Sequence, residues 1–440
     1  MADYRKFHKT NKNGNPVSVH DFAIFQYLTE KENIFILGGI PYIYQDGVYK
    51  ADLNGTKLKT MIRRLIHPDL VNANIIDRVY KLFINADELQ TTAEQINAFP
   101  VHWINFRNAF YDPIRKMLIP HAPSYKAVNQ IPHEYDPRKR PQGKQIDEWL
   151  HFIAPDNDSR EMLLQFCGYC MTTDTRQQKF LTLIGEGGTG KSTMIRLLSD
   201  TIGADNISNV SLKDLTMRFS SFDLMGKLLN CCADIEGGTI EETGVIKQII
   251  GEDPIRAEAK GKQAFKFQSY AKLIFSANSF PTVLNEKTSG FYRRLLILEM
   301  NRKPDATKPN YLETLETETN HFIYLCMEAL GRMYEAGRLT DPERSRKAVQ
   351  QIRNDSDSVE AWIQEDMFQD EKSELERGFL YDRYAQYCDI QERQKVTRKG
   401  FFKTLREKGY QEKRTSYSRY FIGLSADHDR IGAEMSENTT

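Results

Sequence analysis

Apolar and polar residues alternate along residues 33–52 (NIFILGGIPYIYQDGVYKAD), and the Asp46-Gly47 pair in their midst is a hairpin turn signal, so the chain opens on antiparallel strands. After Leu58 the apolar spacing lengthens to that of a helix: Met61, Ile62 and Leu65, then Ile75, Ile76, Val79 and Leu82. Residues 103–123 return to a strand-like pattern with Asp112-Pro113 as a turn, which together predicts a small α+β domain over residues 1–144. The proline- and charge-rich residues 133–144 read as a linker. Helical spacing over 145–174 leads into KFLTLIG (179–185), the first of three short apolar runs of the kind that form buried parallel strands. The others are 228–233 and the start of KLIFSANSFP (272–281). Residues 311–337 read as helical again, and the charged stretch 341–358 as a solvated helix and hinge. A central domain over 145–345, a last domain over 359–425 and a frayed tail over 426–440 complete the expected layout.

Composition narrows the class. Sixty basic side chains cancel sixty acidic ones, so affinity for nucleic acid must come from local clusters rather than from net charge. No apolar run approaches the ~18 residues of a membrane span, and the polar N-terminus has no signal-peptide pattern, so a cytoplasmic protein with no membrane partner is expected. Six cysteines form no disulfide framework. Cys167 and Cys170 make a CxxC that invites a metal or redox reading, but they sit in an apolar helical stretch without a second ligand pair, which favours a core role.

Between a predicted strand and a predicted helix stands GEGGTGKS: Gly185, Glu186, Gly187, Gly188, Thr189, Gly190, Lys191 and Ser192, with Thr193 next. Glycines let backbone N–H groups close around phosphate oxygens, and the helix N-terminus adds a favourable dipole. Lys191 is then expected on the β- and γ-phosphates of ATP, and the Ser192 hydroxyl on Mg²⁺. KLLNCCADIE supplies Asp234 as the metal-side carboxylate and Glu236 as candidate general base, with Ile235 between them. Asn278, at the end of another apolar run, could sense the γ-phosphate or hold the attacking water. Arg256, Lys260, Lys262 and Lys266, with Phe265 and Phe267, read either as a basic hairpin gripping nucleic-acid phosphates or as a solvated hairpin over core phenylalanines. Arg293 and Arg294 precede a further apolar strand and read as a transition-state finger or as salt-bridge partners.

In this order and within this span, the motifs GEGGTGKS, LLNCCADIE, the basic hairpin, KLIFSANSFP and FYRRL resemble those of the superfamily 3 helicases, above all the phage and plasmid primase-helicases and their poxvirus relatives. NAFYDPIRKMLIPHAP followed by HEYDP resembles the domain before that helicase core, and NDSDSVEAWIQED the connection after it. The resemblance implies a P-loop, AAA+-like α/β core with a parallel sheet, preceded by a small α+β domain that serves as an oligomerisation collar or binds DNA. It also implies a homo-hexameric ring with ATP at subunit interfaces, Asn278 as sensor, Arg294 ahead of Arg293 as the arginine given to the neighbour, Lys260 and Lys262 in the central pore, and 3′ to 5′ translocation. The chain leaves little room for a primase domain, so a separate primase or initiator partner is expected.

From Arg393 to Arg419 ten lysines and arginines face only Glu407 and Glu412, and helices followed by a hairpin suggest a winged-helix-like domain with Arg398, Lys399 and Lys403 on DNA phosphates. The reading is an ATP-dependent replicative DNA helicase of a phage, plasmid or other mobile element, acting in the host cytoplasm on single-stranded and forked DNA. The rivals are an initiator or helicase loader that remodels an origin without processive unwinding, a small-molecule P-loop kinase, and a DNA-binding regulator with a vestigial nucleotide pocket.

Overall fold

A computed structural model describes residues 4–217, 220–232, 239–240, 243–251, 253–257, 265–283, 289–303, 311–391, 393 and 395–426. The frayed tail expected beyond Ala426 lies outside the described residues.

The N-terminal alternation folds as a three-stranded antiparallel meander, Ile34–Leu37, Ile40–Gln45 and Val48–Ala51. Asp46 and Gly47 both take positive φ, the conformation a two-residue hairpin needs. Helices Asp21–Lys31, Thr56–Leu65 and Ala73–Asn85 bury Ile24, Leu58, Ile62, Val79 and Phe83 against one another. The Asp112-Pro113 turn joins strands Phe110–Asp112 and Met117–Ile119, and the Asp112 carboxylate accepts from the Ile114 and Arg115 amides at 2.9 and 3.0 Å.

A five-stranded parallel sheet forms the centre of the chain. Its strands are β1 (Phe180–Ile184), β2 (Ile207–Ser208), β3 (Leu229–Cys232), β4 (Lys272–Ala277) and β5 (Leu295–Glu299). Their spatial order is β2-β3-β4-β1-β5, so the strand that leads to Asn278 is inserted between the strand that feeds the glycine loop and the strand that leads to Asp234. Side chains divide with period two. Leu181, Leu183, Ile274, Leu296 and Leu298 join one apolar cluster, and Phe180, Leu273, Phe275, Leu295 and Ile297 the other. Because both faces are covered, every residue of β4 is buried, which is why these strands read as continuous apolar runs.

Helices Lys144–Ile153, Asn157–Tyr169, Lys191–Ile202 and Thr319–Ala336 cover the first face. Residues Ile104, Phe106, Tyr111, Ile131 and Tyr135 enter the same cluster, so Lys144 begins a helix within one continuous core. Gly168 lets the second and fourth helices approach closely: a Cβ there would lie 2.6 Å from the Cys326 carbonyl oxygen. Cys167 and Cys170 are fully buried, and burial pushes both thiols up in pKa. Among the described residues no cluster of His, Cys, Asp or Glu could hold a metal ion.

The charged stretch expected as a solvated helix and hinge is a helix, Glu343–Ser356, with one face packed on the core. Ala348, Val349 and Ile352 pack on the second cluster, and the buried Ser345 hydroxyl accepts the Ile297 amide of edge strand β5 at 2.9 Å. Only the outward face is charged, and that face dominates its composition.

The last unit runs helix Ser358–Asp366, strand Phe368–Glu376, helices Arg377–Ile390 and Arg398–Glu407, and strands Gln411–Arg414 and Arg419–Ser425. The final strand pairs with both others in an antiparallel sheet. Trp362, Tyr384, Phe401 and Phe421 fill its own core.

Candidate functional site

The glycine loop leaves the end of β1 and turns directly into helix Lys191–Ile202. Gly188 and Gly190 take φ of 82° and 96°, and Gly185 is pressed so closely against the Met300 carbonyl that an added Cβ would lie 2.2 Å from its oxygen. The buried Thr189 hydroxyl donates to the Glu186 carbonyl at 2.9 Å and closes the loop. Glu186, Gly187, Gly188 and Ser192 are exposed, while Thr193 is half-buried.

Lys191 is 5% exposed, and its ammonium is directed into the loop. It donates to the carbonyl oxygens of Gly185 and Glu186, the latter at 2.9 Å, and to Asn278 Oδ1 at 3.2 Å. Two residues chosen from separate motifs therefore meet. The parallel register explains it: Ala277 pairs with Ile184, so Asn278 and Gly185 both step off the same edge of the sheet. β3 ends on that edge too, since Cys232 is level with Phe275, which is level with Thr182. Asp234 and Glu236 follow β3 in sequence and lie outside the described residues.

This donor set suits an anionic phosphate chain: a lysine ammonium, a loop with positive-φ glycines and a helix N-terminus. An exposed hydroxyl at the start of that helix, Ser192, suits a hard cation such as Mg²⁺. Lys303, not foreseen from sequence, pairs with Glu186 at 2.7 Å across the loop mouth and holds that carboxyl below its usual range. No local pattern signals it, because the two residues meet only through the β1–β5 pairing.

Arg293 and Arg294 stand at the other edge. They immediately precede β5, whose Leu295 pairs with Phe180 at the start of β1, about 13 Å of strand away from the glycine loop. One chain does not bring these arginines to its own Lys191. Arg294 is also turned inward: its guanidinium donates to the Gly290 carbonyl at 2.6 Å and to Gln178 Oε1 at 3.0 Å, and burial pushes its pKa down. Its Nε is buried without a partner. Arg293 is exposed, and its backbone carbonyl is held by Lys179 Nζ at 2.7 Å.

The basic hairpin forms as a two-stranded ribbon, Ile255–Ala257 with Phe265–Phe267. Arg256 is exposed opposite Lys266, while Ile255 and Phe267 are buried in the second cluster. Lys260 and Lys262 lie outside the described residues. Arg398, Lys399 and Lys403 share helix Arg398–Glu407, where Lys403 also pairs with Glu407 at 3.7 Å. No helix among the described residues is long and apolar enough to cross a membrane.

Residues 48–155 match a family model described as D5 N terminal like, and residues 183–294 one described as a family of unknown function, DUF5906. A protein of Acanthamoeba polyphaga mimivirus named "Putative helicase" is 30% identical over 191 residues, which is 41% of this chain; the chain spans 20% of that relative's length. Among solved structures, three of the apo C-terminal region of NrS-1 match, at TM-scores of 0.50, 0.50 and 0.51. Identity there is 11 to 12%, with 91 to 93% of this chain and 98 to 100% of that one covered, so the likeness is one of fold. A D5 N-terminal-like region thus precedes a glycine-loop core on a five-stranded parallel sheet, an arrangement similar to that of the phage primase-helicases.

Proposed function

We propose that this chain is an ATP-dependent replicative DNA helicase of a phage, plasmid or other mobile element, working as a homo-oligomeric ring in the host cytoplasm. The observation that carries the reading is the division of the nucleotide machinery between two edges of one sheet. Lys191 and Asn278 converge at the loop edge, while Arg293 and Arg294 stand at the far edge. Such a division makes sense if a neighbour's arginine completes each site, which is the arrangement of a ring motor. The helicase name of the mimivirus relative and the fold of the NrS-1 region support the same reading.

In this reading Gly185 to Thr193 hold the phosphates of ATP, with Lys191 on the β- and γ-phosphates and Ser192 and Asp234 on Mg²⁺. Bound ATP supplies the phosphoanhydride whose hydrolysis drives movement. Asn278 is already hydrogen-bonded to Lys191, so a phosphate that draws the ammonium outward releases the amide to orient water, with Glu236 as base. Arg293, exposed and with its backbone tethered by Lys179, is the better finger, and Arg294 supports it by tying the preceding turn to Gln178. Lys260, Lys262 and Arg256 grip single-stranded DNA and couple hydrolysis to 3′ to 5′ movement.

ATP turnover by the purified protein, with and without single-stranded DNA, tests this. A rise of about tenfold or more with DNA is the expected result, since a coupled motor hydrolyses fastest on its track. Turnover indifferent to DNA but dependent on a small phosphate acceptor would identify a kinase instead.

A further inference from the structure

The C-terminal unit carries a cationic concavity of ≈ 360 Å³ lined by Arg377, Arg398, Lys399, Phe402 and Arg406. Two helices line it, the start of Arg377–Ile390 and one face of Arg398–Glu407, and the terminal hairpin holds their cations through Glu412. One carboxylate organises it. Glu412, only 15% exposed, pairs with Arg377 at 3.0 Å, Arg406 at 2.6 Å and Arg419 at 3.7 Å. Arg377 also stands over the Phe402 ring, 3.9 Å from its centroid, and Arg398 stands 5.5 Å from that of Tyr381. The guanidinium groups are thus held in place, and their charge exceeds that of Glu412.

The surplus continues along the hairpin. Glu412 pairs with Phe421 and Arg414 with Arg419, so all four side chains share the face on which Phe421 stacks against Phe402. Arg414 directly opposite Arg419 is a like-charge cross-strand pair, an arrangement that costs stability and suits a face meeting an anion. The nearby carboxylates do not cancel it: Glu374 is engaged by Lys413 at 2.7 Å on the other face, Glu407 by Lys403, and Glu376 accepts the Ser418 hydroxyl at 3.1 Å. At the tip, Tyr417 is 96% exposed. The turn beneath it is fixed by Thr415, whose amide donates to the Ser418 carbonyl at 2.9 Å and whose hydroxyl oxygen accepts the Ser418 amide at 3.1 Å.

We propose that this unit is a junction-binding module: the Arg377–Arg406 concavity with Arg414 and Arg419 seats backbone phosphates, and Tyr417 stacks on an unpaired base where duplex meets single strand. A phenol ring carried on a two-stranded tip has no stacking partner inside an intact duplex, and an unpaired base offers one. The assignment adds Arg377, Arg406, Arg414, Arg419 and Tyr417 to the expected contacts, and it rests on the DNA-motor reading for the kind of nucleic acid.

The test is binding of nucleotide-free full-length protein, in a Lys260→Ala/Lys262→Ala background, to labelled forked, blunt-duplex and single-stranded DNA by fluorescence anisotropy. Tyr417→Ala should weaken fork binding about tenfold, with blunt duplex within about twofold and Tyr417→Phe restoring the fork. Arg398→Ala/Lys399→Ala should weaken fork and duplex alike and make the salt dependence shallower by about two phosphates. Unchanged fork affinity in both variants overturns the proposal, as does polyglutamate that competes as well as DNA at equal charge, which would mark an acidic-protein surface. Failure of the motor reading looks different: fork binding through Tyr417 with no ATP hydrolysis rejects the motor and leaves the module, whereas DNA-stimulated hydrolysis with unaltered fork binding in both variants does the reverse.

Discussion

Lys191→Ala is expected to lower ATP turnover by at least ~10²-fold, because it removes the ammonium that helix Lys191–Ile202 directs into the glycine loop. Phosphate release at saturating ATP is the readout. The loss belongs to chemistry and phosphate binding, so the fold should persist: the loop keeps the Thr189 to Glu186 hydrogen bond and the Gly185 contact with Met300. A melting curve and unaltered DNA binding without nucleotide check that. Normal turnover in this variant would mean that the loop is vestigial and that the chain is a DNA-binding regulator.

Arg293→Ala should lower DNA-stimulated turnover by about 10³-fold while leaving ATP binding intact, the loss associated with removing a transition-state arginine. Because Arg293 stands at the edge of the sheet opposite its own Lys191, the defect must lie in trans. Mixing Lys191→Ala protein with Arg293→Ala protein therefore restores activity, since some interfaces then join an intact lysine to an intact arginine. Arg294→Ala should instead lower the melting temperature, as the Gly290 carbonyl and the Gln178 side chain both lose their donor. If Arg294→Ala gives the stable, catalytically dead protein and Arg293→Ala does not, the roles of the two are exchanged.

Much of the central domain was legible because its signals are local. GEGGTGKS lies between an apolar run and a helical one, and the strand, loop and helix fall where those patterns end. Asp46-Gly47 marks its hairpin for the same reason. Strand order was not legible: parallel neighbours are joined by long crossovers, so nothing near residues 272–277 says that β4 lies between β1 and β3. The convergence of Asn278 on Lys191 and the separation of Arg293 from the glycine loop both follow from that order. The family resemblance puts Arg294 ahead of Arg293, whereas the partners that turn Arg294 inward, Gly290 and Gln178, are set by tertiary packing.

Burial of charge was equally hidden. Lys272 reads as an ordinary strand-end lysine, yet its ammonium is enclosed, donating to the Thr172 and Tyr270 carbonyls above the Tyr169 ring, and burial pushes its pKa down to about 8. The C-terminal cations were countable in sequence, but their arrangement around Glu412 depends on three segments meeting.

The central claim, that ATP hydrolysis here separates DNA strands, is tested most directly by displacement of a labelled strand from a fork bearing a 3′ single-stranded tail. ATP-dependent displacement by the wild-type protein, absent with Lys191→Ala, is the predicted result. Tight fork binding and DNA-stimulated ATP turnover with no strand released would contradict it and identify a loader or initiator.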